Sequence, residues 1–565
     1  MKKLLLIIAL IFNFTTQILA QNPGPNITWQ KCFSTSGDDT FYSLIEIPTG
    51  GYYATIELEK KDNFLVNDTT GGYFLIKFNA DFNIIWKRFI PLFATEIILE
   101  PNGSIILGGL TTQFINKGNV FKDIHGADLD IYSADLALLK LDSTGQKVLW
   151  AHAYGSTGAE DQFFDLIPTN NSGFLFSGTT RGSNGDINPN RPCYNPFLED
   201  AVFMKVDSLG MLQWVKTITG STADVPTGSI VELCPNKYRI DVLSNSDDCD
   251  FAGTLPFDYN SKNYRTLSMI IDENGNEFKR KLDGTGKLAQ YFAKTWKKGN
   301  KIYGVGYAYA NVAYNPTFPT HKAAEGLVVV FDDSLNMVNQ KLFGGNGYDF
   351  FFDHIYDTSG NHIFFGATAS SDNSGDITNY KGGYSDYWIV KTDTNFNIVW
   401  SRTVGSIGKD SYLYYNFPSN KMIIRGSELI LAFEIYPPLQ LPNGDVSCGL
   451  YTLKYGDSTR QCRDAWMVAF DLTTGIEMIP TKMETNFKLF PNPTGNVITI
   501  QNSNPTGKKY KISIADQLGK VVKEMKYEDS NEFTLSVGDL DDGMYFISIQ
   551  NNKKLLFTQK IMVKK

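Results

Sequence analysis

One unit recurs along most of this chain every 60 to 65 residues, and a period of that size confines the fold to repeat architectures. The unit is an apolar strand, an Asp-led turn and a second strand ending in Trp. Asp200 to Trp214 (DAVFMKVDSLGMLQW), Asp386 to Trp400 (DYWIVKTDTNFNIVW) and Asp135 to Trp150 (DLALLKLDSTGQKVLW) are its clearest copies. Weaker copies run from Tyr73 to Trp86, Thr266 to Lys279 and Gly326 to Gln340, with a decayed seventh from Asp464 to Met478. Each copy carries β-hairpin chemistry. About six β-branched or apolar positions lead into a turn where Asp207 or Asp272 bonds its own backbone and Gly210 or Gly275 takes positive φ.

Two further strand signals precede each hairpin. QFFDLIPT and FLFSGTT flank Asn170 to Gly173, and FFFDHIYD and HIFFGAT flank Thr358 to Asn361. Four strands per unit, about seven units and no sustained helical periodicity predict an all-β fold, a β-propeller of about seven blades over 27–478. A tandem array of sandwiches is the runner-up, but each unit is too short to bury a two-sheet core alone. ITWQKCF (Ile27 to Phe33) is a spare Trp strand, predicted to close the ring against AWMVAF (Ala465 to Phe470) because closure removes exposed sheet edges. Trp86, Trp150, Trp214 and Trp400 recur at one phase, with Phe278 or Gln340 in their place elsewhere. That regularity points to packing between blades rather than a ligand platform.

The first 20 residues have the pattern of a signal peptide: basic Lys2 and Lys3, an apolar run from Leu4 to Phe12, then polar residues to Ala20. No apolar run reaches the ~20 residues of a transmembrane helix, so none is expected. Export permits disulfides. Six cysteines are present, and the close pairs Cys234/Cys249 and Cys448/Cys462 are candidate staples with free thiols as the alternative. Cys32 and Cys193 are left unassigned. With 52 Lys+Arg against 60 Asp+Glu, a net charge of −8 argues against nucleic acid as a partner.

Chemistry-bearing patterns are sparse. There is no GxSxG, HExxH or P-loop, and no catalytic or cofactor-binding residue is assigned. The recurrent Asp135, Asp200, Asp386 and Asp464 follow acidic loops, including SNGDI (Ser183 to Ile187), NSGDI (Asn373 to Ile377) and GADLDIYSAD (Gly126 to Asp135). Such loops could hold Ca²⁺ through oxygen ligands, yet they lack EF-hand spacing and read better as turns. Of the five histidines, His125, His152, His321, His354 and His362, His354 and His362 could meet across one hairpin near Asp353 and Asp357. Two polar residues on half-exposed strands are the simpler reading.

The stretch from Ile27 to about Met478 resembles exported repeat proteins whose units read G-x-x-x-D…G-D-[VI]…D-[YA]-W-[VI]-V-K-x-D…W, a resemblance that implies the propeller-like fold and no catalytic residue. Beyond a polar linker (479–487) come seven short strand signals: KLF, NVITIQ, YKISIAD, KVVKEMK, EFTLSV, MYFISIQ and LLFTQKIMV. They predict a small C-terminal Ig-like β-sandwich over 488–565. The segment resembles the type A C-terminal sorting domain of the type IX secretion system. It does so through LFPNPTGNVITI (Pro491, Asn492, Pro493), ISIADQLGKVV (Asp516, Gly519), LDDGMYFISI (Leu540, Gly543, Tyr545, Phe546) and the tail KIMVKK. The resemblance implies the type IX secretion machinery as a partner and a secreted or outer-surface destination. For the ring, the expected role is a non-enzymatic module binding an extracellular glycan or protein. The alternative is a secreted hydrolase or lyase with carboxylates around the central channel.

Overall fold

The computed structural model describes most of residues 24–565; segments 59–70, 126–133, 253–264, 311–323, 407–420, 436–444, 447–462 and 473–486, with some shorter stretches, lie outside the described residues. The chain divides into two compact units, up to Gly475 and from Ile476.

Among the described residues the first unit consists of seven antiparallel sheets, the blades of a propeller. Blade 1 runs through Asp39–Glu46, Tyr52–Leu58, Gly72–Phe78 and Ile84–Phe89, each strand pairing with the next. Blades 2 (Phe93–Tyr154), 3 (Asp161–Ile218), 5 (Leu288–Phe343) and 6 (Asp349–Val404) repeat that order. In blade 4 the innermost strand is split into Asp224–Pro226 and Val231–Cys234, which both pair with Lys237–Ser244. Blade 7 has Met422–Arg425, Glu428–Ile435 and Asp464–Asp471 from its own stretch, and Ile27–Phe33 supplies its outermost strand. Trp29 stands opposite Ala469 and Phe33 opposite Ala465, which is the expected closure.

The hairpin turns follow the repeat chemistry. Asp207 Oδ1 accepts the amides of Leu209 and Met211 at 2.9 Å, and Asp272 Oδ1 those of Asn274 and Asn276. Gly210 and Gly275 have φ of 80° and 77°. The Trp side chains pack across blade seams. A Cβ on Gly210 would lie 2.9 Å from the Trp150 ring, and one on Gly145 2.6 Å from Trp86. Trp150 and Trp214 donate Nε1–H to Ser208 O and Glu273 O of the next blade's turn. In blades 4 and 5 the register puts Lys279 opposite Ile270 and Asn339 opposite Val330, so these residues, not Phe278 and Gln340, stand at the Trp level. A cation two residues beyond that level adds a second clip. Lys31 reaches Phe82 O, Arg88 reaches Gly145 O, and Lys281 reaches Leu335 O, at 3.0, 2.6 and 3.0 Å.

The acidic loops are clips as well. Asp186 of SNGDI donates its N–H to Gly155 O and accepts the Gly155 N–H, at 2.9 and 3.1 Å. Asp376 of NSGDI makes the same pair with Gly344, and Asp250 with Thr219. Each links the loop between the second and third strands to the end of the preceding blade's outer strand.

The cysteines depart from expectation. Cys193 is bonded to Cys249, and Cys234 is free. Cys234 and Cys249 flank opposite ends of Lys237–Ser244, and eight extended residues span roughly 20 Å or more, beyond the reach of a disulfide. Cys32 is disulfide-bonded, and Cys448 and Cys462 lie outside the described residues.

The second unit has two sheets, one of Phe487–Phe490, Val497–Asn502 and Glu532–Ser536, the other of Val521–Glu528, Lys509–Ala515, Gly543–Asn551 and Lys554–Val563. Leu489, Ile498 and Leu535 from the first join Ile512, Ile547 and Ile561 from the second in one core. The arrangement fits an Ig-like domain, and all seven strands fall within about two residues of their sequence signals.

Candidate functional site in the channel

The innermost strand of five blades carries a β-bulge at the same place. Register shifts fall between Phe41 and Ser43, Ala94 and Glu96, Phe163 and Asp165, Phe292 and Lys294, and Phe351 and Asp353. A bulge puts two residues opposite one and re-aims the side chain that follows it. The residues following the bulge are Ser43, Glu96, Asp165, Lys294 and Asp353, so blades 2, 3, 5 and 6 each place a charged group at one level. Blade 4 enlarges the bulge into the loop between its two short inner strands. There Ile230 donates its N–H to Asp165 Oδ2 at 2.6 Å, and Thr227 exchanges hydrogen bonds with the Phe292 backbone at 2.7 and 2.8 Å.

Glu96, Asp165, Ser229, Lys294, Trp296 and Phe352 are among the residues that line a cavity of about 390 Å³ inside this belt. Lys294 Nζ is ion-paired with Asp353, whose Oδ2 also accepts the Lys421 N–H at 3.1 Å. Burial pushes the Glu96 carboxyl well above the usual carboxylate range, with Asp165 adding to the effect and Lys294 opposing it. Burial also raises Asp165 to about 6 against the backbone donors Ile230 and Leu166. Burial lowers the Lys421 ammonium. The cavity thus gathers a carboxyl displaced well upward, a second raised carboxyl and an ion-paired lysine, the mixture that acid–base chemistry uses.

None of these belt residues except Asp353 was singled out in the sequence. A signal was present: ATE, FFD, FAK and FFD put one charge at the same phase of otherwise apolar inner strands. The histidine expectation is met in one respect and corrected in another. His354 Nε2 and His362 Nδ1 do meet, at 3.0 Å, but both side chains are buried rather than half-exposed. Trp296 stacks on His354 with centroids 3.9 Å apart. Burial drives His354 well below its usual value and His362 to about 4, so the pair is neutral packing. Neighbouring Asp353 belongs to the channel, and Asp357 to an ion pair with Lys391 at 2.9 Å. Among the described residues, the grouping of His, Cys, Asp and Glu close enough to share a metal is Cys193, Asp248 and Cys249, whose thiols are joined in a disulfide.

In the second unit, Asn492 Oδ1 accepts the Met562 N–H at 2.8 Å, between Pro491 and Pro493. Thr494 donates to Met562 O and accepts from Lys564, each at 2.9 Å, so the motif clamps the last strand. Gly543 opens that strand's partner, opposite Val563, and Tyr545 Oη donates to Asp541 O at 3.1 Å. Gly519 lies outside the described residues.

No helix among the described residues is long and apolar enough to cross a membrane. A search of curated proteins finds no match. Among solved structures, the chain is similar to a subtype N11 neuraminidase-like protein of A/flat-faced bat/Peru/033/2010 (10% identity, TM-score 0.30, covering 66% of this chain and 85% of that one). It is also similar to the phage phi92 endosialidase (8%, 0.35, 95% and 87%) and to Penicillium chrysogenum α-L-arabinanase (11%, 0.36, 66% and 99%). Residues 488–564 match the family described as secretion system C-terminal sorting domain. The chain thus carries a type IX sorting domain, which implies secretion to the cell surface or exterior, behind a seven-bladed ring.

Proposed function

We propose that residues 1–20 direct export, that the sorting domain delivers the ring outside the cell, and that the ring binds an extracellular glycan in its channel. The observation that carries this reading is the cavity lined by Glu96, Asp165 and Lys294, with Phe352 beside them and Lys294 ion-paired to Asp353. Carboxylates and ammoniums side by side suit hydroxyl groups, which donate and accept at once. Calorimetric titration of the full chain against neutral and acidic oligosaccharides checks it. Lys294→Met, which unpairs Asp353, is expected to weaken binding at least tenfold. Unchanged affinity in both Lys294→Met and Glu96→Gln removes the channel as the site.

A second reading is glycoside hydrolysis, favoured by the raised Glu96 carboxyl beside Asp165 in the same cavity. Glu96 would protonate the leaving oxygen and Asp165 would activate water or attack the sugar. Reducing-end release followed in parallel separates the readings. Loss of a positioned acid is expected to cost Glu96→Gln about 10²–10⁴-fold in kcat, whereas a pure binder releases nothing in any variant. Truncation after Gly475 is expected to leave the ring folded inside the cell envelope and absent from the exterior, as read by fractionation and immunoblot.

A further inference from the structure

The bulge that turns Glu96 into the channel leaves its carboxyl without a fixed partner. Glu96 is 6% exposed and lines the cavity. Among the described residues it makes no hydrogen bond and no ion pair. The other charged side chains described around the cavity are engaged. Lys294 is ion-paired with Asp353, and Lys297 donates to Leu233 O. Asp165 accepts the Ile230 N–H, and Glu232 accepts from Asn170 Nδ2. Buried polar groups are nearly always partnered, so a lone carboxyl aimed into a cavity marks a place that a ligand completes.

The neighbours of Glu96 set the chemistry of that ligand. Burial raises its carboxyl most, Asp165 and Asp353 add to the effect, and Lys294 opposes it. A hydroxyl group would supply the hydrogen bond but leave the crowding of acids unchanged. A cation relieves both, since it favours the ionised form of each acid it touches. A divalent metal suits the corner poorly. Ca²⁺ takes roughly six to eight oxygen ligands, and among the described residues no three acids of the cavity come close enough to share one ion. Lys294 beside the acids also limits the positive charge that can enter. An ammonium carries its donors on one atom and needs no further ligands, so it matches two carboxyls. The cavity, about 390 Å³, is in the size range of small-molecule sites.

We propose that the Glu96 and Asp165 corner of the channel binds a primary ammonium, so that the glycan taken there is a hexosamine polymer with free amino groups. The inference rests on the channel being a glycan site and adds which sugar it takes. An ammonium between the two acids draws their raised carboxyls back down, so its binding expels protons. A hydroxyl or N-acetyl group brings no charge and expels none.

Calorimetric titration of the full chain with β-linked tetramers of glucosamine, N-acetylglucosamine and glucose tests this. It is run near pH 6, where Asp165 titrates, and in two buffers of different ionisation enthalpy, which counts the protons released. The glucosamine tetramer is expected to bind about tenfold tighter than the other two, and it alone should release about half a proton or more. Glu96→Gln keeps the shape of the side chain and removes its charge. It should bring the three tetramers within about threefold of one another and reduce the release. If the glucosamine tetramer binds no tighter than the other two, the amino-sugar assignment is overturned and the channel remains a glycan site. If none of the three binds, the glycan reading fails and this inference with it. A preference that survives in a folded Glu96→Gln places the ammonium elsewhere and also overturns the proposal. Should Glu96→Gln not fold, Asp165→Asn and the wild-type proton count decide by the same criteria.

Discussion

Removing residues 24–33 is expected to lower the Tm of the ring by on the order of 10 °C and to cause association through the exposed edge. The deleted strand forms six residue pairs with Asp464–Asp471, and each net hydrogen bond is worth about 1 kcal/mol. It also carries Phe33 in the core shared by blades 7 and 1, and Trp29, whose ring centroid sits 5.2 Å from Phe82 of blade 1. Two large side chains add about 2 kcal/mol each, for a total near 10 kcal/mol. Unfolding entropy scales with chain length, so a ring this long loses about one degree per kcal/mol. Around the strand, Lys31 bonds Phe82 O of blade 1 and Trp466 Nε1 donates to Gln30 Oε1 within blade 7 at 3.1 Å, so the damage spreads through blade 7 and into blade 1. Because Cys32 is disulfide-bonded, Cys32→Ser serves as the control for loss of that bond alone. A peptide of residues 24–35 added in trans should restore much of the lost Tm by adding back the strand. Calorimetry showing the deletion within two or three degrees of the Cys32→Ser control would mean that the ring does not depend on this closure.

That strand was legible in the sequence because it carries the same mark as its six counterparts, a Trp or its substitute, although this residue is the third of each outer strand, which runs on past it instead of ending there as expected. The seven C-terminal strands were legible for a similar reason, since short apolar runs are bounded by turn residues, and strands such as Phe487–Phe490 and Val497–Asn502 alternate in and out. The channel belt was not. Period two puts Phe163 and Asp165 on one face, which would bury the acid between blades. The bulge at Phe164 breaks that period, so Phe163 and Leu166 enter the core while Asp165 reaches the channel. A bulge has no residue signature of its own here, and only the recurrence of one charge at one phase betrays it. The acidic loops posed the opposite problem, for their Asp-Gly chemistry was visible but their partners lie one blade away. The Cys193–Cys249 bond spans 56 residues, and nothing local could have indicated it.

Asp241→Ala is expected to cost about 3–5 kcal/mol, the other large effect in the ring. Asp241 and Arg239 lie two residues apart on the second strand of blade 4, on the same face, and both side chains are 0% exposed. Arg239 Nε donates to both Asp241 oxygens at 2.9 and 3.1 Å, and Nη2 donates to Ser268 Oγ at 3.1 Å. Ser268 Oγ–H donates in turn to Asp241 Oδ1 at 2.5 Å. The guanidinium lies 4.0 Å from the centroid of Phe331, so the charge is held across the seam by blade 5. Removing the carboxylate leaves a cation in a dry site with one hydroxyl and one aromatic face, and a broken buried pair is far costlier than an absent one. The double variant Arg239→Met/Asp241→Leu should therefore recover most of the loss, because it removes the desolvated charge along with its partner. Denaturant titrations of the wild type, Asp241→Ala and the double variant give the three stabilities. A loss below about 1 kcal/mol in Asp241→Ala, or a double variant less stable than Asp241→Ala, contradicts the account. In the first case water reaches Arg239, and in the second the pair contributes more than its own desolvation.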